Sequence, residues 1–196
     1  MVIDGTLEVE LGTAPMLQLT GLRIDNPSWA EAPTMLRIER AEVQIALRPL
    51  LERVVLLPRI ALQGVSIDLE TAADGRHSWQ SDARPESGEP LGLPLFGSLS
   101  VSDVAIAYRD RQDGREVDVR IAKLVGQPDA TSGQIKLDAT GDINGNAFEL
   151  NGSSGSLETA LMATAPYPLD LDIRLPGIEG TLKGTIANVA RTEGLD

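Results

Sequence analysis

The chain is poor in the residues from which most active sites are built. Its 196 residues include no cysteine, one histidine and two each of Trp, Tyr and Phe. The absence of cysteine excludes disulfides and thiolate metal sites. With so few aromatic rings, a core has to be built from Leu, Ile, Val and Ala, which is unusual for a compact β-sandwich. No apolar run approaches the about 20 residues that a transmembrane helix needs.

Positive charge is also scarce. Lys and Arg number 17 against 29 Asp and Glu, so the formal net charge is -12. An acidic surface repels phosphate backbones and anionic lipid surfaces alike. The composition therefore argues against nucleic acid as a partner.

What the sequence does have is a pattern of alternating apolar residues that occurs three times. In each copy, two apolar residues at alternate positions precede Gly21, Gly64 or Asp103, and two more begin directly after it. The alternation slips by one residue at that point, which predicts a β-bulge that keeps one face of the strand apolar. The residues predicted to face a core or a lipid groove are Leu17, Leu19, Leu22, Ile24, Ile60, Leu62, Val65, Ile67, Leu69, Leu99, Val101, Val104 and Ile106.

Similar alternation covers nearly the whole chain, so the fold is predicted to be mainly β. We expect an elongated, curved and mostly antiparallel sheet with one apolar concave face and one or two short helices. The segment Arg48 to Arg53 favours a short helix, because its proline falls at a first-turn position. A short turn is expected at Trp29 to Ala32.

Asn144-Gly145 is the strongest local turn signal, because this dipeptide favours a two-residue type I′ turn. Pairing outward from the turn sets Ile143 against Asn146 and leaves one face of the hairpin apolar. The Gly- and Ser-rich stretch from Asn151 to Ser156 is interpreted as an ordinary connection.

Composition also suggests a division of the chain. Residues 81–94 lack periodicity and are rich in Pro and Gly, which predicts a loop or a joint. Residues 1–80 would then form an N-terminal β segment, and residues 95–196 a continuing β segment that is truncated at its C-terminus.

An apolar face of this size needs a cover. Leaving roughly a dozen Leu, Ile and Val side chains in water, at about 1.5–3 kcal/mol each, would exceed a domain's net stability of about 5–15 kcal/mol. The sequence predicts no long amphipathic helix. The cover is therefore the same sheet folded over, another segment of a longer chain, or acyl chains.

Three groups of polar residues could carry chemistry: the lone His77 in the turn sequence Asp74 to Trp79, the calcium-loop-like Asp142, Asn144 and Asn146, and the paired acids Asp170 and Asp172. The histidine is interpreted as a solvated residue of a turn, since no second His or Cys exists to join it in a metal site. The spacing of the second group does not match a calcium loop and fits a hairpin. The two acids are expected on the wet face of a strand. We predict no catalytic residue, metal site or cofactor.

The order of the motifs resembles the AsmA family of bacterial envelope proteins, which includes TamB-like proteins. The similar segments are Ile3 to Leu7, Pro15 to Leu19, Leu22 to Pro27, Met35 to Ile38, Leu47 to Leu51, Pro58 to Leu62, Leu69 to Trp79, Tyr108 to Asp110, Gly141 to Gly155 and Gly184 to Ala187. In the segment that ends at Trp79, Ser78 stands where the family usually has Asn.

This resemblance implies a membrane-proximal periplasmic fragment of an inner-membrane protein. In the family, an N-terminal transmembrane helix lies just before the Ile-Asp-Gly segment, and the chain continues past the equivalent of residue 196. The resemblance also implies a long β-groove that holds phospholipid acyl chains between the two membranes, with no established catalytic residues to carry over.

We therefore expect a non-catalytic envelope protein that acts in phospholipid transport and outer-membrane biogenesis. Its expected partners are phospholipid acyl chains, the membrane and other envelope proteins. An alternative is a periplasmic assembly factor that binds outer-membrane proteins by adding a strand to an open sheet edge. A weaker third hypothesis is a hydrolase that uses Asp170 and Asp172.

Overall fold

The computed structural model describes residues 2–3, 5–12, 14–51, 54–80, 95–162 and 166–186. These residues form eleven strands and two short helices. The strands are β1 (Val2–Ile3), β2 (Leu7–Glu10), β3 (Met16–Asp25), β4 (Thr34–Gln44), β5 (Leu56–Thr71), β6 (Leu95–Asp110), β7 (Arg115–Pro128), β8 (Gln134–Ile143), β9 (Asn146–Ser156), β10 (Tyr167–Leu175) and β11 (Ile178–Ile186). The helices are α1 (Leu47–Leu51) and α2 (Leu157–Met162).

All strands belong to one sheet whose order follows the chain. From β3 to β11 each strand pairs with the next, and β1 and β2 pair with successive parts of β3. Every pairing is antiparallel except that of β5 with β6. Among the described residues the two outer edges do not pair with each other, so the sheet is open. The prediction of a mainly β, mostly antiparallel sheet with short helices is confirmed.

The proposed joint, residues 81–94, lies outside the described residues. The strands that precede and follow it, β5 and β6, are direct neighbours in parallel register from Leu56 and Leu95 onward. The segments before and after the joint therefore share one sheet.

The three slips in the apolar pattern lie on one line across the sheet. Gly21, Gly64 and Asp103 all have positive φ angles, of 66°, 64° and 55°. Glu39 of β4 lies in the register position between Gly21 and Gly64. Because the irregular residues are matched on neighbouring strands, the register does not shift across this line from β3 to β7.

The expectation of a separate bulge in each copy is therefore corrected. A bulge sets two residues of one strand against one of its partner. At this line the partner strand has an equal number of residues, so the alternation changes phase without an inserted residue. Along this line the register first shifts between β7 and β8, where Ile121 and Lys123 lie opposite Gly141 and Thr140.

The hairpin at Asn144-Gly145 is confirmed. Both residues have positive φ, as a type I′ turn requires, and Ile143 pairs with Asn146. The connection expected at Asn151 to Ser156 is wrong, because β9 runs through Ser156 and pairs with both β8 and β10. Small polar residues lack strand propensity of their own, and here two flanking strands impose the extended conformation.

The helices differ in part from the expectation. The segment around Pro49 is helical at Leu47–Leu51, and Arg53 lies outside the described residues. Residues 29–32 form turns and bends. The second helix is α2, which the sequence reading did not place; Ser156 caps it by accepting a hydrogen bond from the Thr159 N–H at 3.1 Å.

Two apolar clusters pack on one face of the sheet. The central cluster is built on buried Val65, Val101 and Val104, and it includes Leu36, Ile38, Leu62, Ile67, Leu99, Ile106, Ile121 and Leu124. The second cluster lies at the sheet end where β5 and β6 begin. It is built on buried Leu56, Leu95 and Ala160 of α2, and it includes Ala46, Val54, Leu157 and Tyr167.

Candidate functional site

The most extensive feature of the molecule is an apolar face in which residues of successive strands lie side by side. We call this surface the apolar face and define it by four rows of register partners. The first row contains Leu17, Val43, Ile60, Leu99, Gly126, Leu137, Gly152, Leu171 and Leu182, and the second contains Leu19, Ala41, Leu62, Val101, Leu124, Ala139, Leu150, Ile173 and Gly180. The third contains Leu22, Ile38, Val65, Val104, Ile121, Gly141 and Phe148, and the fourth contains Ile24, Leu36, Ile67, Ile106, Val119 and Ile143.

The structure brings the residues singled out in the sequence together on this face. Twelve of them lie in the four rows, and Leu69 follows Ile67 along β5 as the partner of Tyr108. The three sequence repeats do not include β4 and β7. These strands contribute Leu36, Ile38, Ile121 and Leu124 to the central cluster. The alternation within these two strands was a usable signal for them.

Burial falls from the middle of the apolar face to its edges. Val65 and Val104 are each 7% exposed, whereas Leu7 in β2 is 57% and Leu182 in β11 is 59% exposed. Among the described residues, only α1 and α2 accompany the sheet, and neither exceeds six residues. No second layer therefore runs along this face in the described part of the chain.

The opposite face is polar and carries cross-strand ion pairs. Asp170 binds the Lys183 ammonium at 2.9 Å, and Asp172 accepts a hydrogen bond from the Thr181 hydroxyl at 2.7 Å. Each acid is thus engaged by its own neighbour in β11 on an exposed surface. The hypothesis of an acid and base pair in a polar pocket is not supported by this arrangement.

At the end where β5 and β6 begin, α2 lies against the sheet. Ala160 is 3% exposed and packs with Leu56 and Leu95, while the Tyr167 hydroxyl donates to the Gly155 carbonyl at 2.8 Å. We call this region the helix end. The core of this end is apolar, and the Tyr167 and Ser154 hydroxyls are hydrogen-bonded.

The other end of the apolar face, where β5 and β6 finish, is polar and aromatic. We call it the polar rim and define it as Thr71, His77, Trp79, Tyr108 and Asp110. The His77 and Trp79 rings are stacked with centroids 4.6 Å apart, and the Trp79 and Tyr108 centroids are 6.1 Å apart. The expected turn is present, and His77 is half-buried, because the residues after the Asp74-Gly75 turn fold back and pair with the end of β5.

A chain of hydrogen bonds runs through the polar rim. The Tyr108 hydroxyl donates to Asp110 Oδ2 at 3.2 Å, the Thr71 and Tyr108 hydroxyl oxygens are 3.1 Å apart, and Thr71 Oγ1 is 2.9 Å from His77 Nδ1. Because the Tyr108 hydroxyl uses its hydrogen in the bond to Asp110, it acts as the acceptor toward Thr71. The Thr71 hydroxyl therefore donates to Tyr108 and accepts a hydrogen bond from His77 Nδ1–H. The Gln112 backbone N–H, with that of Asp113 and the Tyr108 hydroxyl, holds the pKa of Asp110 below its ordinary value of 3.8, so the chain ends on a carboxylate.

Buried charges on the polar side hold the loops that build the rim. Glu70 is 4% exposed; its carboxylate pairs with Arg111 and accepts the Glu31 backbone N–H at 2.8 Å. Its own backbone N–H donates to the Ser78 hydroxyl at 3.0 Å. Ser78, which stands where the family usually has Asn, thus ties the loop that carries His77 and Trp79 to β5.

A small cavity lies beside Glu70 on the polar side and is lined by Asn26, Asp68 and Arg109 among others. Its volume of about 130 Å³ is below the roughly 300–1,000 Å³ of ordinary small-molecule sites. Among the described residues, no group of three or more His, Cys, Asp or Glu side chains could hold a metal ion. The calcium-loop-like residues hold the turn: Asp142 Oδ1 accepts the Gly145 backbone N–H at 3.2 Å, and Asn144 Oδ1 accepts the backbone N–H of Asp118 in β7 at 2.8 Å.

The fold and its site define a class of protein: an open β-sheet with one extended apolar face. The sequence profile of the AsmA family matches residues 1–165, and the chain therefore belongs to that family. AsmA proteins are bacterial envelope proteins, generally not enzymes, and membership indicates a role related to envelope and outer-membrane biogenesis. No curated protein matches the chain. Of the helices in the described ranges, none has the length and apolarity to cross a bilayer.

Proposed function

We propose that this protein is a non-catalytic component of phospholipid transport between the inner and outer membranes, in which the apolar face forms a groove for acyl chains. The proposal includes a periplasmic location and an inner-membrane anchor in the full-length protein. The observation that supports it best is the apolar face itself, of which two rows run from β3 to β11 and two more from β3 to β9 or β8, without a covering layer among the described residues.

Acyl chains suit such a face for a physical reason. The backbone N–H and C=O groups of a sheet are paired with neighbouring strands, so contact with hydrocarbon leaves no polar group unsatisfied. Burial of apolar surface is non-directional and worth about 25 cal/mol per Å². A long face of Leu, Ile and Val can therefore hold chains of different length and position without specific contacts.

Charge on the polar face is compatible with this role. Its acids and bases pair across strands, as Asp170 and Lys183 do. A lipid on the apolar face would meet few of these charges, since side chains on alternate positions point to opposite sides. The net negative charge therefore does not oppose acyl-chain binding.

The test is a pair of substitutions at neighbouring positions of β5. Ile67→Glu places a carboxylate in the fourth row of the apolar face, and Ser66→Glu places the same group on the polar face opposite Arg37. Ile67 is half-buried, and a long Glu side chain can extend its carboxylate toward water. We expect both variants to melt cooperatively close to the parent, and only Ile67→Glu to lose crosslinking to a photoactivatable phospholipid.

The control separates folding from binding. If Ile67→Glu fails to fold while Ser66→Glu folds, the apolar face is an ordinary closed core. If both variants fold and crosslink at the parental yield, acyl chains do not use this face.

A second candidate function is favoured by the state of β11. This nine-residue strand pairs with β10, and the described residues supply no partner for its other edge. Strand addition by an outer-membrane protein segment would use that edge. It predicts that β-strand peptides from such proteins slow amide hydrogen exchange in β11, whereas phospholipid alone does not.

A further inference from the structure

The two ends of the apolar face differ in chemistry, and this difference gives the face a direction. At the helix end, α2 covers Leu56 and Leu95 with apolar side chains. At the polar rim, hydroxyl, imidazole, indole and carboxylate groups lie directly beyond Leu69. An amphiphilic ligand would meet a dry surface at one end and hydrogen-bonding groups at the other.

The polar rim has capacity left for a ligand. The hydrogen-bond chain fixes the proton of His77 on Nδ1, which leaves the lone pair of Nε2 as an acceptor in the neutral ring. Trp79 is 44% exposed, and its indole N–H makes no hydrogen bond within the described ranges. The rim therefore offers one acceptor and one donor beside two aromatic rings, a combination typical of apolar–polar boundaries.

The helix end lacks such capacity. The Tyr167 hydroxyl is already bonded to the Gly155 carbonyl and lies 3.1 Å from the Ser154 hydroxyl. A charged headgroup placed there would lose its hydration without gaining a partner. Acyl chains placed at the helix end would lose no favourable hydration, because they carry no polar group.

From this asymmetry we propose that a glycerophospholipid lies on the apolar face with its headgroup at the polar rim and its acyl chains directed toward α2. The inference rests on the proposed lipid-binding function and adds the orientation of the lipid and the residues that set it. His77 and Trp79 contact the headgroup region, and the central cluster contacts the chains.

The dimensions allow this arrangement. The sixteen residues of β5 span roughly 50 Å at about 3.3 Å per residue. One leaflet of a bilayer contributes about 15 Å of hydrocarbon. The acyl chains of a single lipid at the rim thus cover about four to five residues of β5, reach into the central cluster near Val65, and leave the helix end free.

The test measures distances between a spin-labelled lipid and a spin-labelled protein. Because the chain has no cysteine, Gln112→Cys beside the rim and Glu158→Cys on α2 each provide one exposed labelling site. Phosphatidylethanolamine is the probe lipid, because its headgroup nitrogen keeps an N–H that can donate to His77 Nε2 even when the spin label is attached through an amide. It carries the label on the headgroup or at the end of one acyl chain and is bound to each protein, and distances are read by double electron–electron resonance. We expect the headgroup probe to lie nearer Gln112→Cys than the chain-end probe does, by about 15 Å, and the order to reverse at Glu158→Cys.

The other outcomes separate two failures. A reversed order, or equal broad distributions for both probes, overturns the orientation while leaving lipid binding intact. The absence of any lipid–protein distance overturns the proposed function together with this inference.

A rim variant tests the residues that set the orientation. His77→Phe keeps a ring to stack on Trp79 but removes both ring nitrogens, and Thr140→Val on the polar face of β8 is the control. We expect His77→Phe to broaden the headgroup distances and weaken binding by about twofold to tenfold, the cost of a lost hydrogen bond, with Thr140→Val unchanged. Unaltered headgroup distances in His77→Phe would overturn the role of the rim.

Discussion

The strands before and after the β7–β8 pairing build the same apolar face in two different ways. From β3 to β7, the apolar positions hold mainly Leu, Ile and Val, and the alternation changes phase along one line that has left-handed residues in β3, β5 and β6. From β8 to β11, the alternation is unbroken, and glycines take several positions of the face, such as Gly152 and Gly180. The first region contains the central cluster, and the second ends in the exposed apolar side chains of β11.

The difference shows what side-chain volume does in a single-layer sheet. Without a facing layer, an apolar side chain is buried mainly by its neighbours in adjacent rows, so large residues shield one another and glycines leave gaps. Gly141 is an instructive exception, because the ring of its register partner Phe148 lies against it. The same binary pattern thus yields a packed region and an open one.

The largest effect that distinguishes the two regions is expected from a buried charge. Val104 is 7% exposed in the central cluster and Leu182 is 59% exposed in β11. Val104→Asp should lower the free energy of unfolding by about 3–5 kcal/mol, because the short side chain cannot carry its carboxylate to water. Leu182→Asp should change it by at most about 0.5 kcal/mol, as for an exposed surface substitution.

Urea unfolding followed by circular dichroism measures both variants. A similar decrease in the free energy of unfolding for Val104→Asp and Leu182→Asp would show that β11 is as well packed as the central cluster. The contrast in packing between the two regions would then be wrong.

A smaller effect is expected at the line of left-handed residues. Gly64 has a φ of 64°, and a Cβ there would lie 2.5 Å from the Glu39 carboxylate. Gly64→Ala should cost about 1–2 kcal/mol for the left-handed conformation, plus the displacement of Glu39. In the other region, Gly145→Ala meets nothing within 4 Å and should cost the conformational part alone.

The double variant Gly64→Ala, Glu39→Ala isolates the contact by a thermodynamic cycle. Glu39→Ala should restore only the part of the lost unfolding free energy that comes from displacing the Glu39 side chain. Full recovery to the parental stability would mean that the backbone conformation at Gly64 carries no cost.

The smallest effect concerns a surface ion pair in the turn between β7 and β8. The Lys136 ammonium, followed by the backbone N–H groups of Ser132 and Thr131, holds the pKa of Asp129 far below its ordinary 3.8. A carboxyl whose pKa is depressed on folding stabilises the protein above the unfolded value and loses that contribution as the pH falls through the folded value. The gain should therefore be present at neutral pH and decline progressively below about pH 4.

Melting temperatures of the parent and Lys136→Met between pH 2 and 7 test this. The two curves should differ slightly at neutral pH and converge in acid, and 1 M salt should reduce the difference, since the pair is exposed. A difference that grows on acidification would contradict the assignment to Asp129.

Local signals predicted much of the fold. Period-two alternation predicted the strands around Leu62 and Val101, and Asn144-Gly145 predicted its hairpin. The slips marked Gly21 and Gly64 as irregular positions, although the bulges expected there are absent. These features depend on residues close in the sequence. The family profile agrees with the resemblance read from the motifs.

The candidate site was predicted less completely. Apolar residues of the three repeats were found, whereas the helix end and the polar rim were not. The sequence around His77 does not indicate which side chains it contacts. Its hydrogen-bond partner Thr71 bonds in turn to Tyr108, which is distant in sequence and lies beside Thr71 only because β5 and β6 pair in parallel. Likewise, nothing in Leu157 to Met162 announces that Ala160 will pack on Leu56 and Leu95.

The sequence by itself determined which side of each strand is apolar, because alternate side chains point to opposite sides and the slips in the pattern mark where the phase changes. The tertiary structure decided which strands are neighbours, and so it aligned Gly21, Gly64 and Asp103 on one line and placed α2 and the polar rim at opposite ends. The physical reason is that facing direction is a property of the local backbone, whereas register and neighbour choice depend on contacts between residues far apart in the chain, whose loop-closure cost no local pattern encodes.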